Sequence, residues 1–210
     1  FRGINMFYLG LDLGQRRDHS AICVVEKVEA GQAFQAPVYR ELLVRHLERA
    51  PLGTPYPGVV RRVRQIVTNE ELAGQCGVVV DATGVGAPVV EMLREARLGC
   101  EVAAVTITGG LKESQAGQAF SVPKRDLMAG VQVLLERGEL RIARGLREAG
   151  ALVRELMDVR ATLRESGAVR MGADGCGEHD DLVIALALAC WRARRGRAVN
   201  GCVPHRLPGI

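Results

Sequence analysis

The chain has 210 residues, 48% hydrophobic and 25% charged, which suits one generous domain or two small ones and excludes a chain kept unfolded by its charge. No apolar run reaches the ~18 residues of a membrane span, and the first ten residues lack a signal-peptide layout, so no membrane partner is expected. The formal net charge of +4 invites a nucleic-acid partner, but residues 192–210 hold five arginines and no acid, so that segment carries +5 and the remainder −1.

The opening residue, Phe1, suggests a fragment or a processed product. The six cysteines contain no C-x-x-C pair and several lie in apolar runs, so they read as small core residues of a reducing compartment rather than zinc ligands.

In chain order, residues 7–14 read as a buried strand with an acid near its end, and residues 20–28 as a second strand after a polar hairpin connection at 15–19. Residues 38–46 alternate as a third strand. The stretch 47–57, with Pro51, Gly53, Pro55 and Pro57, reads as a loop, and 58–73 as a helix. Residues 77–81 form an apolar strand ending on an acid, followed by a helix at 87–97 with Pro88 in its first turn and a strand at 101–107. That strand–helix–strand order implies a parallel, right-handed crossover.

Residues 108–122 read as a loop or small hairpin, 124–137 as a helix stopped at Gly138, and 140–142 as an edge strand. An amphipathic helix is expected over 146–164, a short strand over 168–171, a loop over 172–177 and an apolar helix over 180–195. There is no internal repeat. The division expected is one α/β domain over 1–196 with a flexible basic tail over 197–210.

The chemistry lies in the placement of the eight aspartates. Asp12 and Asp81 each end an apolar strand, and Asp180 and Asp181 open an apolar helix. A carboxylate embedded in apolar sequence is costly to bury unless something neutralises it. Parallel strands deliver their C-terminal ends to one crevice, and a helix N-terminus can bring further acids there. Converging carboxylates raise one another's pKa, and hard divalent cations such as Mg²⁺ or Mn²⁺ relieve this. Two such ions ~3.5–4 Å apart suit phosphodiester hydrolysis. A structural reading stands beside this one: Asp12 closes a strand, Asp81 caps a turn, and Asp180 and Asp181 cap their helix.

Other features are weaker. Thr83-Gly84-Val85-Gly86 resembles part of a phosphate-binding glycine turn, but a lone G-x-G is weak and no G-x-G-x-x-G follows it. Gly10-Leu11-Asp12-Leu13-Gly14 is similar to the first phosphate loop of actin-like ATPases but lacks the Ser or Thr that should follow, and no G-x-x-x-x-G-K-[ST] occurs. Arg16, Arg17, Lys124 and Arg125 are candidates for DNA phosphates or for solvated surface. His179 is a candidate metal or phosphate ligand or a helix cap.

Asp81-Ala-Thr-Gly-Val-Gly-Ala-Pro-Val-Val-Glu-Met-Leu93, Val122-Pro-Lys-Arg-Asp-Leu-Met128 and His179-Asp-Asp-Leu-Val-Ile-Ala-Leu-Ala-Leu-Ala189 together resemble the nuclease domain of phage terminase large subunits. Gly10–Gly14 with Asp18-His-Ser-Ala-Ile22 fits the start of that domain, and the resemblance spans about residues 7–195. It implies a ribonuclease H-like α/β fold: a mixed central sheet, antiparallel strands 1–3 then parallel strands, flanked by helices. It implies two-metal cleavage of double-stranded DNA during genome packaging, with two Mg²⁺ or Mn²⁺ ions held by Asp12, Asp81 and Asp181, with Asp180 beside it. It further implies a packaging ATPase domain in the same parent chain, a portal protein and a small terminase subunit as partners, and the cytoplasm of a bacterial host. This chain carries no ATPase, so cleavage is expected without translocation. A Holliday-junction resolvase-like nuclease and a non-catalytic module docking DNA or portal are the alternatives.

Overall fold

The computed structural model of the chain describes residues 6–14, 18–30, 39–84, 86–163, 169–173 and 180–195. Strand β1 (Met6–Asp12) lies inside an eight-stranded sheet between β2 (Ala21–Ala30) and β4 (Cys76–Asp81). Outside β2 come β3 (Tyr39–Arg49) and the short edge strand β8 (Leu140–Ile142). Outside β4 come β5 (Glu101–Thr108), β7 (Ala119–Pro123) and β6 (Ser114–Ala116). Strands β1 to β3 form an antiparallel meander, and β4, β5 and β7 run parallel to β1. This is the mixed central sheet, antiparallel strands 1–3 then parallel strands, flanked by helices, that the sequence leads one to expect.

Strand alternation sorts the core into two layers. Phe7, Leu9 and Leu11 of β1, with Val78 and Val80 of β4, pack against α1 (Tyr56–Val67) and α2 (Gly86–Glu95). Tyr8, Ala21, Cys23 and Val79 face the other way, towards α3 (Lys124–Glu136), α4 (Ala149–Asp158) and α5 (Asp181–Arg194). Helix α5 is buried from Asp181 through Cys190, as a helix apolar on all sides must be. Leu186→Ala should therefore cost about 2–5 kcal/mol of stability, read as a lowered urea midpoint; the side chain is fully buried.

Helix α5 lies directly against β1 at Gly10. A Cβ added at Gly10 would lie 1.9 Å from the Ala185 carbonyl oxygen and 2.9 Å from the Ala189 nitrogen, so only glycine lets the helix lie on the strand.

Several boundaries differ from expectation; the first two residues of the loop expected over 172–177, for one, belong to a strand that runs to Ala173. Helix α1 stops at Val67, not 73, because Asn69 turns the chain: its side chain accepts the Glu71 N–H at 3.0 Å and its carbonyl takes those of Leu72 and Ala73. The helix expected over 146–164 is only α4. Its last third becomes β9 (Val159–Leu163), paired antiparallel with β10 (Val169–Ala173) in a separate hairpin. Periodicity along one segment does not reveal a cross-strand partner. Strand β3 runs on to Arg49, into the expected loop, because β2 keeps pairing with it as far as Ala21↔Arg49.

Among the described residues Cys23, Cys76 and Cys190 are buried, Cys100 is half-buried, and all four are free. Residues 174–177 of the expected loop, Cys176, Cys202 and the division at 196/197 lie outside the described residues. No described helix is long and apolar enough to cross a membrane.

Candidate active site

Parity places Asp12, like Tyr8, on the α5 side of β1. The pairing Leu11↔Val80 sets Asp81 beside Asp12, both at the C-terminal ends of parallel strands. On the other side the register runs Asp12↔Ala21↔Arg49, so one row across the sheet reads Asp81, Asp12, Ala21, Arg49. From Gly10 to Asp12 is two strand residues, ~6.6 Å. From Ala185 back to Asp181 is about one helical turn, ~6 Å. The contact of α5 with Gly10 thus brings Asp181 level with Asp12.

Burial holds the Asp12 carboxyl well above its ordinary pKa, and the charges of Asp81, Asp181 and Asp180 add to this while Lys124 opposes it. Asp81 is also raised, first by burial; hydrogen bonds from Thr83 and the charge of Lys124 pull it back, and Asp180 pushes it up. Asp12 thus feels the charges of all three other acids.

Thr83 holds Asp81 in two ways. Its amide donates to Asp81 Oδ1 at 2.8 Å, and its hydroxyl, which accepts the Ile107 N–H at 2.9 Å, also bonds the carboxylate. Gly84, at φ +69, supplies the left-handed step of the turn, and Gly86 presses on the Asp81 backbone, so these glycines serve the exit from β4. Thr83→Val should cost about 1 kcal/mol in urea unfolding, with Thr83→Ser restoring it.

The two α5 acids are held differently. Lys124 Nζ lies 2.6 Å from Asp180 Oδ2, and Arg49 Nε donates to Asp181 Oδ2 at 3.1 Å. Arg49 also pairs through Nη2 with Glu155 Oε1 of α4. Glu155 Oε2 accepts the Val183 N–H in the first turn of α5 at 3.0 Å. Burial pushes Glu155 up to about 7, against the pull of that amide and of Arg49. Among the described residues Asp180, at the N-cap position, makes no side-chain capping bond.

Lys124, at the head of α3, thus joins the acids. Arg125 next to it donates to the Leu111 carbonyl at 3.0 Å and pairs with Asp126, which ties it to the loop after β5. Arg16, Arg17 and His179 lie outside the described residues. Arg49, Glu155 and Thr83 are the participants that sequence reasoning missed. Only Thr83 had a signal, as part of the Asp-Ala-Thr-Gly turn.

Among the described residues no three His, Cys, Asp or Glu side chains are gathered into a ready metal shell. Two of the four acids are instead engaged by Lys124 and Arg49. The donors nevertheless fit a hard divalent cation. All four are carboxylates at one end of the sheet, and Asp12, buried among the charges of the other three, has the excess negative charge that such an ion relieves.

No family model and no curated protein matches the chain. Solved structures do. The magnesium-bound large terminase nuclease from thermophilic phage G20c has a TM-score of 0.64 at 23% identity, over 91% of this chain and 84% of that one. Its cobalt-bound form gives 0.63 at 23% identity, over 91% and 89%. The large terminase nuclease domain of bacteriophage SPP1, with bound manganese, gives 0.54 at 12% identity, over 90% and 87%. The chain is similar in fold to large terminase nuclease domains over nine-tenths of its length.

Proposed function

We propose that the chain is a divalent-metal-dependent endonuclease of the large-terminase kind, hydrolysing phosphodiester bonds of double-stranded DNA during phage genome packaging. One observation carries the reading: Asp12, buried and raised in pKa, lies among the charges of Asp81, Asp180 and Asp181 at the C-terminal end of the sheet. Metal-bound terminase nucleases with the same fold support it.

In this reading Asp12, Asp81 and Asp181, with Asp180 beside it, hold two Mg²⁺ or Mn²⁺ ions. When bound, these would acidify the attacking water and stabilise the leaving 3′ oxygen. Asp12, which feels the charge of the other three acids, would be the main ligand. Thr83 keeps the Asp81 carboxylate turned to the crevice. Lys124, paired with Asp180, would be a cation for the DNA phosphate beside the acids. Arg16, Arg17, Arg125 and His179 are the further DNA contacts proposed.

The nuclease domain is taken as residues 1–196 and the basic tail as 197–210. A packaging ATPase domain of the parent chain, a portal protein and a small terminase subunit complete the assembly, in the host cytoplasm. Incubated with supercoiled plasmid and Mn²⁺, the protein should nick and linearise it, and Asp81→Asn should not. Undiminished cutting in excess chelator would sink the reading. A strong preference for four-way junctions over linear duplex would replace it with a resolvase.

A further inference from the structure

An aspartate at a helix N-cap ordinarily takes one of the helix's own orphan N–H groups. Asp180 stands at that position in α5, yet its carboxylate is directed to Lys124. The acceptor comes from another helix: Glu155 of α4 takes the Val183 N–H on one oxygen and Arg49 on the other. Arg49 in turn reaches Asp181. Glu155 is 7% exposed and Asp181 4% exposed.

A structural cap alone would be supplied with less desolvation by Asp180, which is half-buried and already in place. Burying a glutamate from a neighbouring helix instead leaves the Asp180 carboxylate directed into the crevice. The backbone of β3 is shaped to the same end. A bulge in the β2–β3 ladder, where Val24 pairs with His46 but Val25 with Val44, shifts the side-chain parity. Before it, Leu42 and Val44 face the α5 layer; after it, Leu47 and Arg49 do, while Glu48 turns to Arg62 of α1.

We infer that Glu155 and Arg49 are positioning residues for the acid pair of α5: Glu155 caps the helix in place of Asp180, and Arg49 fixes Asp181, so that both carboxylates are presented with Asp12 and Asp81 to a divalent cation. This rests on the metal-dependent reading above and extends it from the ligands to what orients them. Neither residue touches the reacting atoms. Their effect passes through the two aspartates, and outer partners of this kind tune metal affinity.

The test titrates Mn²⁺ into the full 210-residue chain, by calorimetry and by electron paramagnetic resonance, alongside thermal melts and plasmid-nicking kinetics. Glu155→Ala and Arg49→Met should each melt cooperatively yet bind Mn²⁺ about 10–100-fold more weakly. They should lower kcat more than they raise KM for DNA. Glu155→Gln, which keeps an acceptor for the Val183 N–H, should fall between Glu155→Ala and wild type. Folded Glu155→Ala and Arg49→Met with wild-type Mn²⁺ affinity would overturn the inference. If Glu155→Ala does not fold, Arg49→Met and Arg49→Lys decide, and wild-type affinity in both overturns it. Failure of the unmodified chain to take up Mn²⁺ would overturn the proposed function itself, and is read separately from any variant.

Discussion

Asp12→Asn is expected to remove metal-dependent cleavage and, without metal, to make the protein more stable. The loss of activity should exceed about 100-fold, the upper end for loss of an outer partner, because Asp12 is assigned as a ligand itself. The gain in stability follows from burial. The folded-state pKa of Asp12 lies well above the unfolded value, so the folded protein holds the proton more tightly. That contribution is fully present below the unfolded pKa, ~3.9, and is lost as pH rises through the folded pKa. Asp81, and Glu155 up to about 7, act in the same direction. The metal-free wild type should therefore melt at progressively lower temperature from about pH 4 upwards, and Asp12→Asn should lose stability less steeply. Mn²⁺ at a hundredfold excess over its Kd should stabilise the wild type by about 2.7 kcal/mol and the variant by much less. Fluorimetric melts across pH, with and without Mn²⁺, check both halves. A variant that melts below wild type at neutral pH would contradict the electrostatics; one that cuts like wild type would contradict the site.

Gly10→Ala should cost ~3 kcal/mol or more, the upper part of the range for overpacking, because the added methyl meets backbone rather than a flexible side chain. The Ala185 carbonyl at 1.9 Å can yield only if α5 rises off β1. Since α5 carries Asp180 and Asp181, any variant that folds should also bind Mn²⁺ more weakly. Circular dichroism melts and Mn²⁺ titration of the surviving folded protein measure the two effects. A wild-type melting temperature would show that the helix does not press on the strand as described.

The sheet was legible because its inner strands are short apolar runs bounded by turn residues, and because acids stand out in such runs. Asp12, Asp81 and the Asp180–Asp181 pair are visible for that reason. Reading the α5 acids as helix caps was equally open from sequence, and nothing near position 155 marks a capping residue on another helix. Arg49 was hidden for a different cause. It follows an alternating stretch, but the bulge at Arg45 inverts which face that stretch presents, and Pro51 and Gly53 made the region read as loop. Strand β9 was lost because Val159–Leu163 continues an amphipathic pattern and owes its conformation to a partner ten residues away.

The arginines at the far end of α5 look from sequence like the start of a basic tail. Arg192 instead forms a largely buried pair with Glu101 at 2.7 Å, and Arg195 pairs with Glu113 while stacking 4.6 Å from the centre of the Trp191 ring. A cation already matched by a protein carboxylate releases no counterion when a polyanion approaches. Two of the five charges in residues 192–210 should therefore be silent in the salt dependence of any nucleic-acid association. The slope of affinity against ionic strength would then draw on at most three charges from this end together with cations elsewhere, although the composition of the chain draws the eye to all five.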